Sequence, residues 1–124
     1  IVEERGMGFF EETLLPKLLA QPPRPELQEL VRGMIRANPP KGAASASRGM
    51  AQRADSRNIL ARFAGPALIV VGAQDGITPR AKADEMASHL SNARVVEIPS
   101  AGHLSSLERP EVFNQVLATF LEHV

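Results

Sequence analysis

Apolar residues at Leu27, Leu30, Val31, Met34 and Ile35 recur at i, i+3, i+4, i+7 and i+8, the spacing of one face of an α-helix. A rougher stripe precedes it, through Met7, Phe10, Leu14, Leu15, Leu18 and Leu19. Pro16 interrupts that stripe and is expected to end or kink the first helix. Pro22-Pro23-Arg24-Pro25 breaks the chain, and Asn38-Pro39-Pro40 stops the second helix. Small residues across 41–53 (Ala43, Ala44, Ser45, Ala46, Ser47) predict a third helix packed closely against a neighbour. Asp55 or Ser56 is placed to cap a short turn carrying Ile59, Leu60 and Phe63. Up to about residue 64 nothing alternates as a strand does.

The pattern changes after Gly65-Pro66. Residues 67–71 are apolar at every position, as a strand covered on both faces requires. Thr78-Pro79 reads as an N-cap and first helical residue, opening a helix over 79–90 with Ala83, Met86, Ala87 and Leu90 on one face. Ser91-Asn92-Ala93 turns the chain into a second strand at 94–98. A last helix, from near Pro110, is expected to bury Val112, Phe113, Val116, Leu117, Phe120 and Leu121. Strand, helix and strand make a βαβ unit with a parallel pair, the two helices on opposite faces. Two strands are too few to stand alone, so the chain reads as the end of a larger α/β domain.

Composition narrows the partners. The 124 residues carry 14 basic and 14 acidic side chains and no net charge. Without a basic stripe, neither nucleic acid nor an anionic membrane is an expected partner. The absence of cysteine excludes a disulfide framework, a thiolate metal site and a cysteine nucleophile. It suits a reducing, cytoplasmic setting. No apolar run is long enough to span a bilayer, and no secretory signal pattern opens the chain. A start at Ile1, inside helical sequence, is expected of a processed or truncated product.

Candidate chemistry sits in two loops: Gly72-Ala73-Gln74-Asp75 after the first strand and Ala101-Gly102-His103 after the second. Parallel neighbours about 4.8 Å apart release both loops at one sheet edge, so Asp75 can meet His103. An acid that orients a histidine is two-thirds of a nucleophilic triad. Taken singly, each residue has a plainer reading. Asp75-Gly76 is common turn chemistry, and His103 could be a loop histidine bonded to backbone. His89 and His123 read as solvated, Asp84-Glu85 as a polar helix face, and no histidine pair has metal-ligand spacing. Glu108 is a second acidic candidate, read as a cap or brace of the last helix. Thr78 reads as a cap rather than a nucleophile.

The run from Pro66 through Leu68-Ile69-Val70-Val71-Gly72-Ala73-Gln74-Asp75-Gly76-Ile77-Thr78-Pro79, then Ile98-Pro99-Ser100-Ala101-Gly102-His103, then Leu107-Glu108-Arg109-Pro110, resembles the C-terminal part of an α/β-hydrolase. The likeness covers roughly residues 59–124. It implies an α/β fold consisting of the C-terminal portion of the hydrolase sheet, preceded by a helical cap over residues 1–58. A weaker likeness, at Arg48-Gly49-Met50-Ala51-Gln52-Arg53-Ala54-Asp55-Ser56, is to the return from the cap in esterases and enol-lactonases. By the resemblance Asp75 is the triad acid after the seventh strand, and His103 the base after the eighth.

The family's nucleophile elbow, G-x-S-x-G, is not in these residues. Ser45-Ala46-Ser47-Arg48-Gly49 lacks the first glycine and follows no strand. The leading expectation is therefore a hydrolase of esters, lactones or similar carbonyl substrates, needing no cofactor or metal, for which this chain supplies acid and base but not the nucleophile. A serine nucleophile would suit such substrates, and an aspartate haloalkanes or epoxides. The alternative is a non-catalytic association module using an open sheet edge or the cap helices. A nucleotide-binding half-domain fits less well, because no G-x-G-x-x-G follows the first strand. The unpaired edge also predicts a homo-oligomer.

Overall fold

In a computed structural model, residues 2–124 are described. They divide into two compact units: residues 2–16 with Pro22–Asp55, and Lys17–Gln21 with Ser56–Val124.

The first unit is helical. Helix α1 (Val2–Leu18) begins in it, α2 spans Pro25–Arg36 and α3 spans Pro40–Ala51. In α1 the backbone break falls at Gly6 (φ 76°, ψ 178°), and the helix runs two residues past Pro16 before it ends. Proline removes one amide donor near an end where the helix is about to stop, whereas Gly6 takes a left-handed φ that a Cβ would disfavour. Of the α2 stripe, Leu27, Val31 and Ile35 are buried, while Leu30 and Met34 are more than half exposed. The buried set is the narrower i, i+4, i+8 row. Glu11 is buried and divides its carboxylate between two arginines of α2: Arg32 Nε at 2.8 Å from Oε1 and Arg36 Nε at 2.5 Å from Oε2. That fork fixes the register of α1 against α2.

The second unit carries the sheet. After the short helix α4 (Arg57–Leu60), strand β1 (Ala67–Gly72) pairs in parallel with β2 (Ala93–Ile98), from Ala67 opposite Ala93 to Gly72 opposite Ile98. Helix α5 (Arg80–Ser88) connects the strands. Helices α6 (Ser105–Glu108) and α7 (Pro110–Leu121) close the chain. Both α5 and α7 pack on both strands.

Three expectations need correction. Helix α7 contains no fully buried residue, with Leu117 and Leu121 exposed by 38% and 58%. Its apolar face is wider than a two-stranded sheet can cover. Pro79, not Thr78, holds the N-cap position of α5, and no side chain caps that helix. Glu108 belongs to α6, no side chain caps α7, and the Glu108 carboxylate accepts from the Gly102 amide of the histidine loop.

Candidate active site

Both candidate loops leave the same sheet edge, and the backbone laces them together. Ala73 N donates to Ile98 O (2.9 Å), Gln74 N to Ala101 O (2.8 Å) and Asp75 N to Gly72 O (3.0 Å). The approach is close. A Cβ on Gly72 would lie 2.1 Å from the Gly102 carbonyl oxygen and 2.4 Å from that of Ala101. Ser100 takes a left-handed φ of 55° to turn the chain out of β2 toward His103. Serine in that region is held there at a cost of about 1 kcal/mol by the surrounding structure.

The structure brings Asp75 and His103 together. His103 Nδ1 lies 3.0 Å from Asp75 Oδ2; the Asp75 side chain is almost wholly buried and His103 is one-third exposed. Asp75 Oδ1 accepts from the amides of Ile77 and Thr78, each at 2.8 Å, while Oδ2 also accepts the Thr78 hydroxyl proton at 2.8 Å. Burial alone would push the Asp75 carboxyl upward. Hydrogen bonds from the Thr78 amide, His103, the Thr78 hydroxyl and the Ile77 amide outweigh it and hold the carboxyl below the usual aspartate value. Asp75 is therefore ionised near neutrality and can only accept. Facing it, Nδ1 must carry the ring proton, which leaves Nε2 as the acceptor of a neutral imidazole.

Thr78 is a site residue that the sequence reading placed only as a cap. Its oxygen also lies 3.3 Å from His103 Nδ1, so it touches both partners. The signal that pointed to it was its spacing: an aspartate followed three residues later by threonine closes an Asx-type turn on its own backbone.

Glu108, 7% exposed, accepts from Gly102 N at 2.7 Å (Oε2) and from Ala20 N at 2.6 Å (Oε1). Among the described residues, no group of three or more His, Asp or Glu side chains is placed to hold a metal ion. His123 Nδ1 lies 2.7 Å from Thr119 O, in the last turns of α7. No helix among the described residues is long and apolar enough to cross a membrane.

Residues 4–110 match the sequence model of the α/β hydrolase fold family. The chain is 35% identical over 86 residues to 3-oxoadipate enol-lactonase 1 of Acinetobacter baylyi, a match covering 69% of this chain and 32% of that protein. It is 35% identical over 74 residues to the pimeloyl-[acyl-carrier protein] methyl ester esterase of Neisseria meningitidis, covering 60% of this chain and 29% of that one. Among solved structures it superposes on a thermophilic esterase from Thermogutta terrifontis with a TM-score of 0.91 and 37% identity. That likeness covers 98% of this chain and 46% of the esterase. The chain thus spans about a third of the length of these curated relatives and about half of the solved esterase. A family match across most of its length, joined to parallel strands that end in a bonded aspartate and histidine, makes this chain a member of the α/β hydrolase fold family.

Proposed function

We propose that the chain provides the acid and base of a hydrolase acting on an ester, a lactone or a similar carbonyl substrate. The observation that carries this reading is the 3.0 Å contact between Asp75 Oδ2 and His103 Nδ1 at the ends of adjacent parallel strands. The enol-lactonase and esterase relatives support the substrate class. In this reading His103 Nε2 takes the proton of the nucleophile and returns it to the leaving group. Asp75 holds the Nδ1 proton and stabilises the imidazolium that forms. Residues 1–58 act as the cap. The nucleophile and the oxyanion donors come from outside these 124 residues, which contain no G-x-S-x-G.

The test is hydrolysis of p-nitrophenyl acetate and of a small lactone. These 124 residues alone should show only trace turnover. Joined to a nucleophile-bearing N-terminal half of the family, they should be active. In that active protein Asp75→Asn should lower kcat by about 10³–10⁴, and His103→Ala by at least as much. Full activity in His103→Ala, or robust turnover by the 124 residues alone, would overturn the reading.

A further inference from the structure

We propose that Glu108 is a positioning residue for His103, its buried carboxylate tying the histidine loop to the 17–21 segment so that the imidazole stays against Asp75. The inference rests on the acid–base reading of Asp75 and His103.

Both peptide neighbours of His103 are anchored to the same short stretch of chain. On one side Gly102 N donates to Glu108 Oε2, and Glu108 Oε1 takes the amide of Ala20. On the other side Leu104 N donates directly to Leu18 O at 3.2 Å. Gly102 lets the two backbones meet: a Cβ there would lie 2.8 Å from Ala20 N, 2.8 Å from Leu19 C and 3.0 Å from Leu18 O. The same stretch also reaches the acid loop, because Gln21 N donates to Gln74 Oε1 at 3.0 Å, one residue before Asp75. Leu19, 3% exposed, anchors the segment in the unit that carries the strands.

The chemistry of the bridge selects a carboxylate. Gly102 N and Ala20 N are both donors, one to each oxygen of Glu108, so both oxygens must accept. A glutamine offers one oxygen and turns an NH2 toward the other N–H, leaving buried donors face to face. An aspartate is one methylene too short to reach both amides. Helix α6 supplies the geometry, with Glu108 N donating to Leu104 O at 3.0 Å. This turn carries a carboxylate five residues after His103 back beneath its own loop.

The experiment records the NMR resonance of the His103 Nδ1–H proton in the 124-residue chain as wild type, Asp75→Asn, Glu108→Gln and the double variant. With Glu108 intact, Asp75→Asn should move the Nδ1–H resonance clearly upfield, because a charged acceptor is replaced by a neutral one. In the Glu108→Gln background the same change should displace that resonance by less than roughly half as much. Hydrogen exchange at the Gly102 amide should also quicken by about tenfold or more. An undiminished Asp75 effect in Glu108→Gln overturns the positioning role, since a brace that served stability alone would leave that coupling intact. If Asp75→Asn fails to move the His103 resonance while Glu108 is intact, the acid–base reading itself falls. Should Glu108→Gln not fold, Glu108→Asp keeps the charge, cannot span both amides, and is judged by the same coupling.

Discussion

The hydroxyl of Thr78 lies 2.8 Å from Asp75 Oδ2, the oxygen that also receives the His103 ring. Two donors therefore converge on one carboxylate oxygen while the other takes two backbone amides. Every one of these bonds favours the ionised carboxylate. Thr78 is thereby bound to the acid rather than to the helix that follows it.

Replacing Thr78 by valine keeps the shape and removes one donor. The Asp75 carboxyl should then titrate higher, closer to the ordinary aspartate value. Stability near pH 7 should fall by about 1–2 kcal/mol, the scale of a hydrogen bond to a charged group. The loss should shrink at low pH, where the carboxyl is protonated in folded and unfolded chains alike. Urea unfolding from pH 7 down to pH 2 checks this, with Thr78→Ser expected to recover most of the effect. An equal loss at both ends of that range would show that the hydroxyl does not act through the carboxylate.

Asp75 should also make the fold acid-sensitive. Its folded-state pKa is depressed, so its contribution is present in full above the unfolded value of about 3.9 and is lost as pH falls through the lower folded value. Melting temperatures of wild type and Asp75→Asn, measured from pH 7 to pH 2, should differ most at neutrality and converge toward the acid end. A gap that stays constant with pH would contradict the assignment.

The close approach of the two loops predicts a contrast between two glycines four residues apart. A Cβ on Gly72 would meet the backbone carbonyls of Ala101 and Gly102, which cannot step aside without moving the histidine loop, whereas a Cβ on Gly76 meets nothing within 4 Å. Gly72→Ala should cost about 3 kcal/mol or more, and Gly76→Ala about 0.5 kcal/mol or less. Chemical denaturation of the two variants decides it, and equal costs would refute the packing argument.

Among the described residues β1 has a strand partner on one side only. A mostly apolar cleft of about 160 Å³ beside it is lined by Ile69, Val70, Val71, Ala83 and Met86, with Thr78 and Lys82 also in its wall. An unpaired edge beside apolar surface favours self-association, so the 124-residue chain should sediment as a dimer or larger at tens of micromolar. A heat-stable, monodisperse monomer would be the opposite result.

Much of this was legible in the chain because its cause is local. The helix over Pro25–Arg36 follows from apolar spacing between two proline breaks, and β1 from a run with no polar position. The parallel pairing of β1 with β2 follows from a connection long enough to hold a helix, as a parallel crossover requires. Asp75 and His103 were legible as a pair for the same reason, since parallel strands release their loops at one edge. Leu30 and Met34 show where periodicity stops: it marks a helix face but not how much of that face a neighbour covers.

What the tertiary structure alone decided concerns partners distant in the sequence. Nothing near Glu108 announces that its carboxylate spans Gly102 and Ala20, because one of those amides is 88 residues away. The glycine at 102 looks like turn chemistry until the backbone of Leu18 to Ala20 lies against it. The sequence by itself determined which elements form and which acid can reach which base, since both depend on repeat spacing and chain direction. Only the fold decided what holds that base in place, because a buried carboxylate takes its donors from whatever backbone the packing brings within about 3 Å of it.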